Sequence, residues 1–135
     1  MKIKLILLAS LFAVGFAMSA TAGSVADADS DGVPDVFDNC LNVANGMNET
    51  SNQVDTDQDG FGNACDADYD NSGAVNTVDF GPFLSAFGAG AGAAQDHNGD
   101  GVVNTIDFGV FLSQFNQGVP GPSGLSCAGA VPCSP

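Results

Sequence analysis

The sequence predicts a small, mostly irregular fold in two parts: an N-terminal module of loops and turns, and a C-terminal pair of loop-helix units that supplies the α-helix. Three observations carry this expectation. All fifteen aspartates fall on one repeated twelve-residue pattern. Two apolar stripes, Phe80, Phe83, Leu84, Phe87 and Phe108, Phe111, Leu112, Phe115, each keep the i, i+3, i+4, i+7 spacing of one helical face. Four cysteines, an even number, offer covalent support to a chain whose other apolar residues are mainly Ala and Val.

The repeated pattern places oxygen-bearing side chains at the first, third, fifth, ninth and twelfth positions, with glycine at the sixth. The first loop is Asp27, Asp29, Asp31, Gly32, Asp35, Asp38; the second is Asp55, Asp57, Asp59, Gly60, Asn63, Asp66. The third is Asp68, Asp70, Ser72, Gly73, Asn76, Asp79; the fourth is Asp96, Asn98, Asp100, Gly101, Asn104, Asp107. Calcium is a hard cation that takes about six to eight oxygens, and a glycine turn lets alternate side chains converge on one point. The seventh residue adds its backbone carbonyl, which here belongs to Val33, Phe61, Ala74 and Val102. These residues are therefore the expected ligands of about four calcium ions, with room for more in the N-terminal module. The fullest loops of this type end in Glu; all four here end in the shorter Asp.

The charge balance leads the same way. Residues 1–22 read as a secretory leader: Lys2 and Lys4, an apolar stretch from Leu5 to Ala17, and the small residues Ala20, Thr21 and Ala22. That stretch is short for a membrane span. Without its two lysines the formal net charge moves from −14 to −16. Nucleic acid and anionic membranes need cations on the protein, so neither is an expected partner. Divalent cations are. Two bare carboxylates about 4 Å apart repel by roughly 4 kcal/mol at an effective dielectric near 20, so the metal-free N-terminal module should expand and binding should be coupled to folding. Affinity is expected in the weak extracellular range, on the order of 10⁻⁴–10⁻³ M.

The loops start at residues 27, 55, 68 and 96, which gives two paired-loop modules in tandem. Residues 68–87 align with 96–115 without a gap, each loop running into a short helix. The two stripes should pack face to face. Gly81 and Pro82 fit a first helical turn, and Gly88 and Asn116 are the expected stops. The Gly-Ala run 88–94 reads as a flexible linker, with a silk-like assembly segment as the other reading. The segment 42–52 is polar and turn-rich, and Asn48-Glu49-Thr50 is either a polar turn or a glycosylation acceptor. Behind a secretion signal the cysteines should oxidise. Proximity in sequence suggests Cys40–Cys65 and Cys127–Cys133, out of three possible connectivities. The Gly/Pro/Ser-rich tail 117–135 is expected to be mobile apart from its small ring, either a disordered end or an attachment tag.

Two family resemblances cover most of the chain. The run Asp31-Gly-Val-Pro-Asp-Val-Phe-Asp-Asn-Cys40, followed by Asn52-Gln-Val-Asp-Thr-Asp-Gln-Asp-Gly-Phe-Gly-Asn-Ala-Cys-Asp66, resembles a thrombospondin type 3 repeat, although Leu41 stands where that family usually has proline. This resemblance implies an irregular chain wrapped around a string of calcium ions over residues 23–67. Residues 68–116, with Val-Asn at the eighth and ninth loop positions, resemble a type I dockerin, an EF-hand-like pair. Dockerins bind cohesin modules partly through the tenth and eleventh loop positions, here Thr77-Val78 and Thr105-Ile106, and through basic helix residues. These helices carry no Lys or Arg, so that resemblance implies the fold better than the docking. The expected function is a secreted, calcium-stabilised structural or adhesive protein of a bacterial surface or extracellular matrix, open to self-association. The alternative is a dockerin-like module that attaches to a scaffold protein. An enzyme is not expected: every Asp belongs to a loop, and the single histidine, His97, occupies a second loop position where side chains point to solvent.

Overall fold

A computed structural model describes residues 25–134; the leader assigned to residues 1–22 lies outside them. Regular structure is sparse. Two single 3₁₀ turns, Asp35–Phe37 and Asn63–Cys65, precede a short helix, Phe80–Ala86, and a longer one, Thr105–Gln117. One isolated antiparallel bridge joins Gly90 to Val102.

The longer helix begins where the sequence supplies a cap. Asn104 Oδ1 accepts the Ile106 N–H, and Asp107 Oδ2 accepts the Asn104 N–H. It ends beyond the expected stop. Asn116 lies inside the helix, and Gly118 terminates it in the left-handed conformation with φ of 78°. Glycine adopts that conformation without the Cβ penalty that Asn116 would carry, and the Gly118 N–H closes on the Gln114 carbonyl. The short helix carries Gly81 and Pro82 in its first turn and stops before Gly88, as expected.

The two apolar stripes do meet. Phe83 packs on Phe111 with ring centroids 5.4 Å apart and on Phe108 at 5.5 Å. Phe83 and Phe111 join Ala67, Val75 and Val103 as the buried core. The stripes are wider than the seam between two short helices, so their outer members stay open: Leu84, Phe87 and Leu112 are about half exposed. A second buried cluster is covalent. Cys40 and Cys65 are disulfide-bonded with Cα atoms 5.7 Å apart and pack on Ala64. Cys127 pairs with Cys133. Both pairings are those suggested by proximity.

Three expectations fail. The run 88–94 is not a free linker: Gly88 N–H donates to Val103 O, Val103 N–H donates to Ala89 O, and Ala89 and Ala93 lie against the aromatic core. Alanine methyls are small enough to tile a surface that two helices leave uncovered. The tail is not loose either. Its backbone returns over the first two loops, with Gly121, Gly124 and Gly129 donating to the carbonyls of Cys65, Asp38 and Asp59. Leu41 N–H donates to Pro122 O, and Cys133 N–H to Gln58 O. Glycine permits this closeness: Gly124 lies directly on the Asp35 carbonyl, where a side chain would not fit. The third failure is His97, which is 2% exposed. Its Nε2 meets the Tyr69 hydroxyl at 2.9 Å and its Nδ1 meets the Asn63 carbonyl, so it ties the fourth loop to the second 3₁₀ turn. A residue at a second loop position points away from its own loop, but here that direction is filled by the other module.

Candidate metal centres

The four loops share one backbone. The sixth-position glycines Gly32, Gly60, Gly73 and Gly101 have φ of 90°, 91°, 82° and 90°. The fourth positions are also left-handed: Ser30, Gln58, Asn71 and Gly99 have φ of 65°, 62°, 54° and 67°. Two left-handed residues two apart fold the chain around a centre. In every loop the first aspartate holds that turn by accepting the sixth N–H. The bonds are Gly32 to Asp27 at 3.2 Å, Gly60 to Asp55 at 2.9 Å, Gly73 to Asp68 at 2.6 Å and Gly101 to Asp96 at 2.9 Å.

The loops then divide into two kinds by how they close. In the first two, the ninth residue reaches back to the second N–H: Asp35 Oδ1 accepts from Ala28 and Asn63 Oδ1 from Thr56. Their twelfth residue turns forward, Asp38 to the Cys40 N–H and Asp66 to the Asp68 N–H. In the last two, the twelfth residue reaches back instead. Asp79 accepts from Asp70 and Asn76, and Asp107 from His97, Asn98 and Asn104. Their ninth residue turns forward into the helix start, Asn76 to Val78 and Asn104 to Ile106. The difference follows from what comes next: a 3₁₀ turn begins at the ninth residue of the first two loops, whereas a helix begins after the ninth residue of the others.

Three groups of carboxylates converge with ligand atoms all within 4.8 Å of one another: Asp27, Asp29, Asp31; Asp55, Asp57, Asp59; and Asp68, Asp70, Asp79. The fourth loop forms no such three-acid group among the described residues; there Asn98 holds the third position and its amide donates to Asp100 Oδ2. In the third and fourth loops the seventh carbonyls, Ala74 and Val102, accept from the amides of Asn76 and Asn104.

Electrostatics match crowded acids without counter-charges. Burial, then Asp31, Asp38 and Asp27, raise the Asp29 carboxyl above its usual range, which puts Asp38 in the field of the first group. Asp59 is pushed up to about 6 by burial and by Asp57, Asp55 and Asp68. Asp66, deeper, is pushed up to about 8 by burial and by Asp59, Asp57 and Asp68. The second and third loops therefore sense each other. Asp27 Oδ1, Asp29 Oδ2 and Asp96 Oδ1 are buried with no hydrogen-bond partner among the described residues. Unsatisfied oxygens of this kind, beside repelling neighbours, are what a hard divalent cation would satisfy.

Sequence reasoning missed the polar scaffold of the first loop. Gln53 Nε2 donates to Asp38 Oδ1 and to Asn45 Oδ1, and Asn45 Nδ2 donates to Asn39 Oδ1. The Asn45 N–H donates to Asp31 Oδ2. Asn39 and Asn45 are buried, so this network stands where an apolar core would be. Nothing in the spacing of these amides distinguishes them from an ordinary polar turn.

The arrangement is one of repeated acidic loops, three of which bring together carboxylates that could hold a metal ion. The thrombospondin type 3 repeat family matches residues 26–48 and 54–87, which take in the first three loops and leave out the fourth. Such repeats are calcium-binding modules of extracellular-matrix type. The mouse (Mus musculus) cartilage oligomeric matrix protein is 40% identical over 68 residues, covering 43% of this chain and 8% of that protein. The chain thus spans less than a tenth of the length of that relative. No solved structure matches.

Proposed function

We propose that this is a secreted, calcium-stabilised structural or adhesive protein of a bacterial surface or extracellular matrix. The observation that carries the proposal is the shared loop backbone, with its first aspartate on the sixth N–H in all four copies. The twelve-residue ligand sets bind about four calcium ions, with the acid-rich first two loops taking any additional ones. Residues 23–67 act as a calcium-wrapped module, 68–116 as a loop-helix pair, and 117–135 as a strap over the first two loops. Two disulfides agree with an oxidising, extracellular address. No helix among the described residues is long and apolar enough to cross a membrane. The role is structural rather than catalytic: the aspartates belong to the loops, and His97 is held by Tyr69 and Asn63.

A dockerin-like attachment to a scaffold protein is the second reading. It is favoured by the last two loops, which close through their twelfth residue and lead into paired helices, and by the open apolar groove that Thr77, Phe80, Leu112 and Phe115 line. Light scattering during a calcium titration, with a parallel pull-down from secreted protein with and without chelator, separates the two. Calcium-dependent growth in mass supports self-association. Capture of one discrete partner by a monomer supports attachment. If scattering stays constant and nothing is captured in calcium, the adhesive proposal falls.

A further inference from the structure

We infer that Asn98 is a site of spontaneous deamidation, where loss of ammonia adds a carboxylate at the third position of the fourth loop. The chain has two Asn-Gly pairs, Asn45-Gly46 and Asn98-Gly99. A glycine after asparagine leaves its backbone nitrogen unshielded by a Cβ, so that nitrogen can attack the side-chain carbonyl. The fold treats the two pairs oppositely. Asn45 is 0% exposed, and its amide is held by other segments: Nδ2 donates to Asn39 Oδ1 at 2.8 Å, and Oδ1 accepts from Gln53 Nε2 at 2.7 Å. Asn98 is partly exposed and lines a cavity of about 460 Å³ beside the 42–51 segment. Its amide bonds a near neighbour instead. Oδ1 accepts the Asp100 N–H and Nδ2 donates to Asp100 Oδ2, both at 3.0 Å.

These two bonds fold the side chain forward over the Gly99 peptide, whose nitrogen must attack. The Asp100 N–H also draws electrons from the Asn98 side-chain carbonyl and would steady the oxyanion of the addition step. The Gly99 N–H donates to Asp96 O at 3.3 Å, a long bond that is readily given up. Only glycine suits position 99: its φ is 67°, and a Cβ there would lie 2.7 Å from Ser51 N. The packing of the fourth loop on Ser51 therefore installs the reactive pair. In the reaction the Gly99 nitrogen gives its proton to solvent base and bonds Asn98 Cγ. The Cγ–Nδ2 bond breaks, and ammonia leaves with an equivalent proton. Water then opens the cyclic imide, and opening at Cγ restores the main chain and leaves a side-chain carboxylate. The fourth loop then carries four acids in place of Asp96, Asp100 and Asp107 alone. Its consequence rests on the calcium reading: charge count tunes affinity, so the loop without a three-acid group empties first as calcium falls, reacts, and afterwards binds more tightly.

The test ages the protein at mildly alkaline pH and limiting calcium, with the fold checked by circular dichroism, and weighs its proteolytic peptides by mass spectrometry. Asn98 should convert at least about ten-fold faster than Asn45, the factor set by one buried hydrogen bond that must break. In denaturant with the disulfides reduced, the two pairs should convert alike, because the fold alone separates them. Saturating calcium should slow Asn98 by holding its Oδ1. Asn98→Asp should bind its weakest calcium about ten-fold more tightly than the parent in calorimetry, the gain of a charged over a neutral oxygen. A retained Asn98 amide, equal conversion of Asn98 and Asn45 in the folded protein, or unequal conversion in denaturant would overturn the site. An Asn98→Asp variant with the parent's calcium isotherm, or no slowing in protein that binds calcium, would overturn its consequence. If neither parent nor variant binds calcium, the loop reading has failed, and the peptide masses still decide the modification.

Discussion

Removing the Cys40–Cys65 link should unfold the N-terminal module at ordinary temperatures even with calcium present. The two cysteines are 25 residues apart in sequence, and closing a loop of that size removes chain entropy worth about 3.5 kcal/mol from the unfolded state. Little apolar packing replaces it, because the buried apolar cluster there, among the described residues, is Cys40, Ala64 and Cys65. The link also positions backbone contacts that feed the loops. Gly62 N–H donates to Asn39 O, and Asn39 bonds Gln53, which in turn holds Asp38. A Cys40→Ala/Cys65→Ala variant in saturating calcium should therefore melt roughly 15 °C or more below the parent, given about 4–8 °C per kcal/mol for a domain of this size. Its calcium midpoint should move upward, since folding and binding are linked. The control is Cys127→Ala/Cys133→Ala. Its separation of 6 residues gives about 2 kcal/mol by the same reasoning, so the loss should be visibly smaller. Thermal unfolding followed by circular dichroism reads both. A drop of less than about 5 °C for the first variant, or a larger drop for the second, would refute the view that the long-loop disulfide organises this module.

Two further outcomes follow from the geometry. Gly73→Ala and Gly60→Ala impose similar left-handed strain, about 1–2 kcal/mol, at φ of 82° and 91°. Only the Gly60 Cβ would meet the tail, at 2.6 Å from Cys133 Sγ, so its variant should be the less stable in thermal melts, and equal losses would deny the tail its place on the second loop. The acids predict a pH dependence for the metal-free protein. Asp59 and Asp66 titrate near 6 and 8 when folded, above their unfolded value of 3.8, so the folded form binds more protons through that window. Stability is then highest below about pH 4 and falls as pH rises through about 6 and about 8, so demetallated protein should melt higher at about pH 5 than at about pH 8.5. An unchanged or opposite trend would show that these carboxylates are not crowded in the fold.

The parts of this molecule that were legible in sequence are those with a periodic cause. The sixth-position glycines, the stripes that join Phe83 to Phe111, and the near-neighbour cysteines each leave a regular mark. What escaped depends on contacts between segments distant in sequence. The two modes of loop closure share one ligand pattern and differ only in whether the ninth or twelfth residue turns back. The buried state of His97 needs Tyr69 and Asn63, which lie 28 and 34 residues away. The Gly-rich tail and the Gly-Ala run have the composition of free chain, yet the same lack of side chains lets their backbones lie against the loops and the core. Composition alone does not separate freedom from close approach.

The most direct test of the central claim is the melting temperature of demetallated protein as calcium is added. If cations hold these loops, each ten-fold rise above the dissociation constant adds about 1.4 kcal/mol for every site filled, so the melting temperature should climb steadily and with a slope of more than one ion. The same melting temperature and the same circular dichroism in chelator and in saturating calcium would contradict the account.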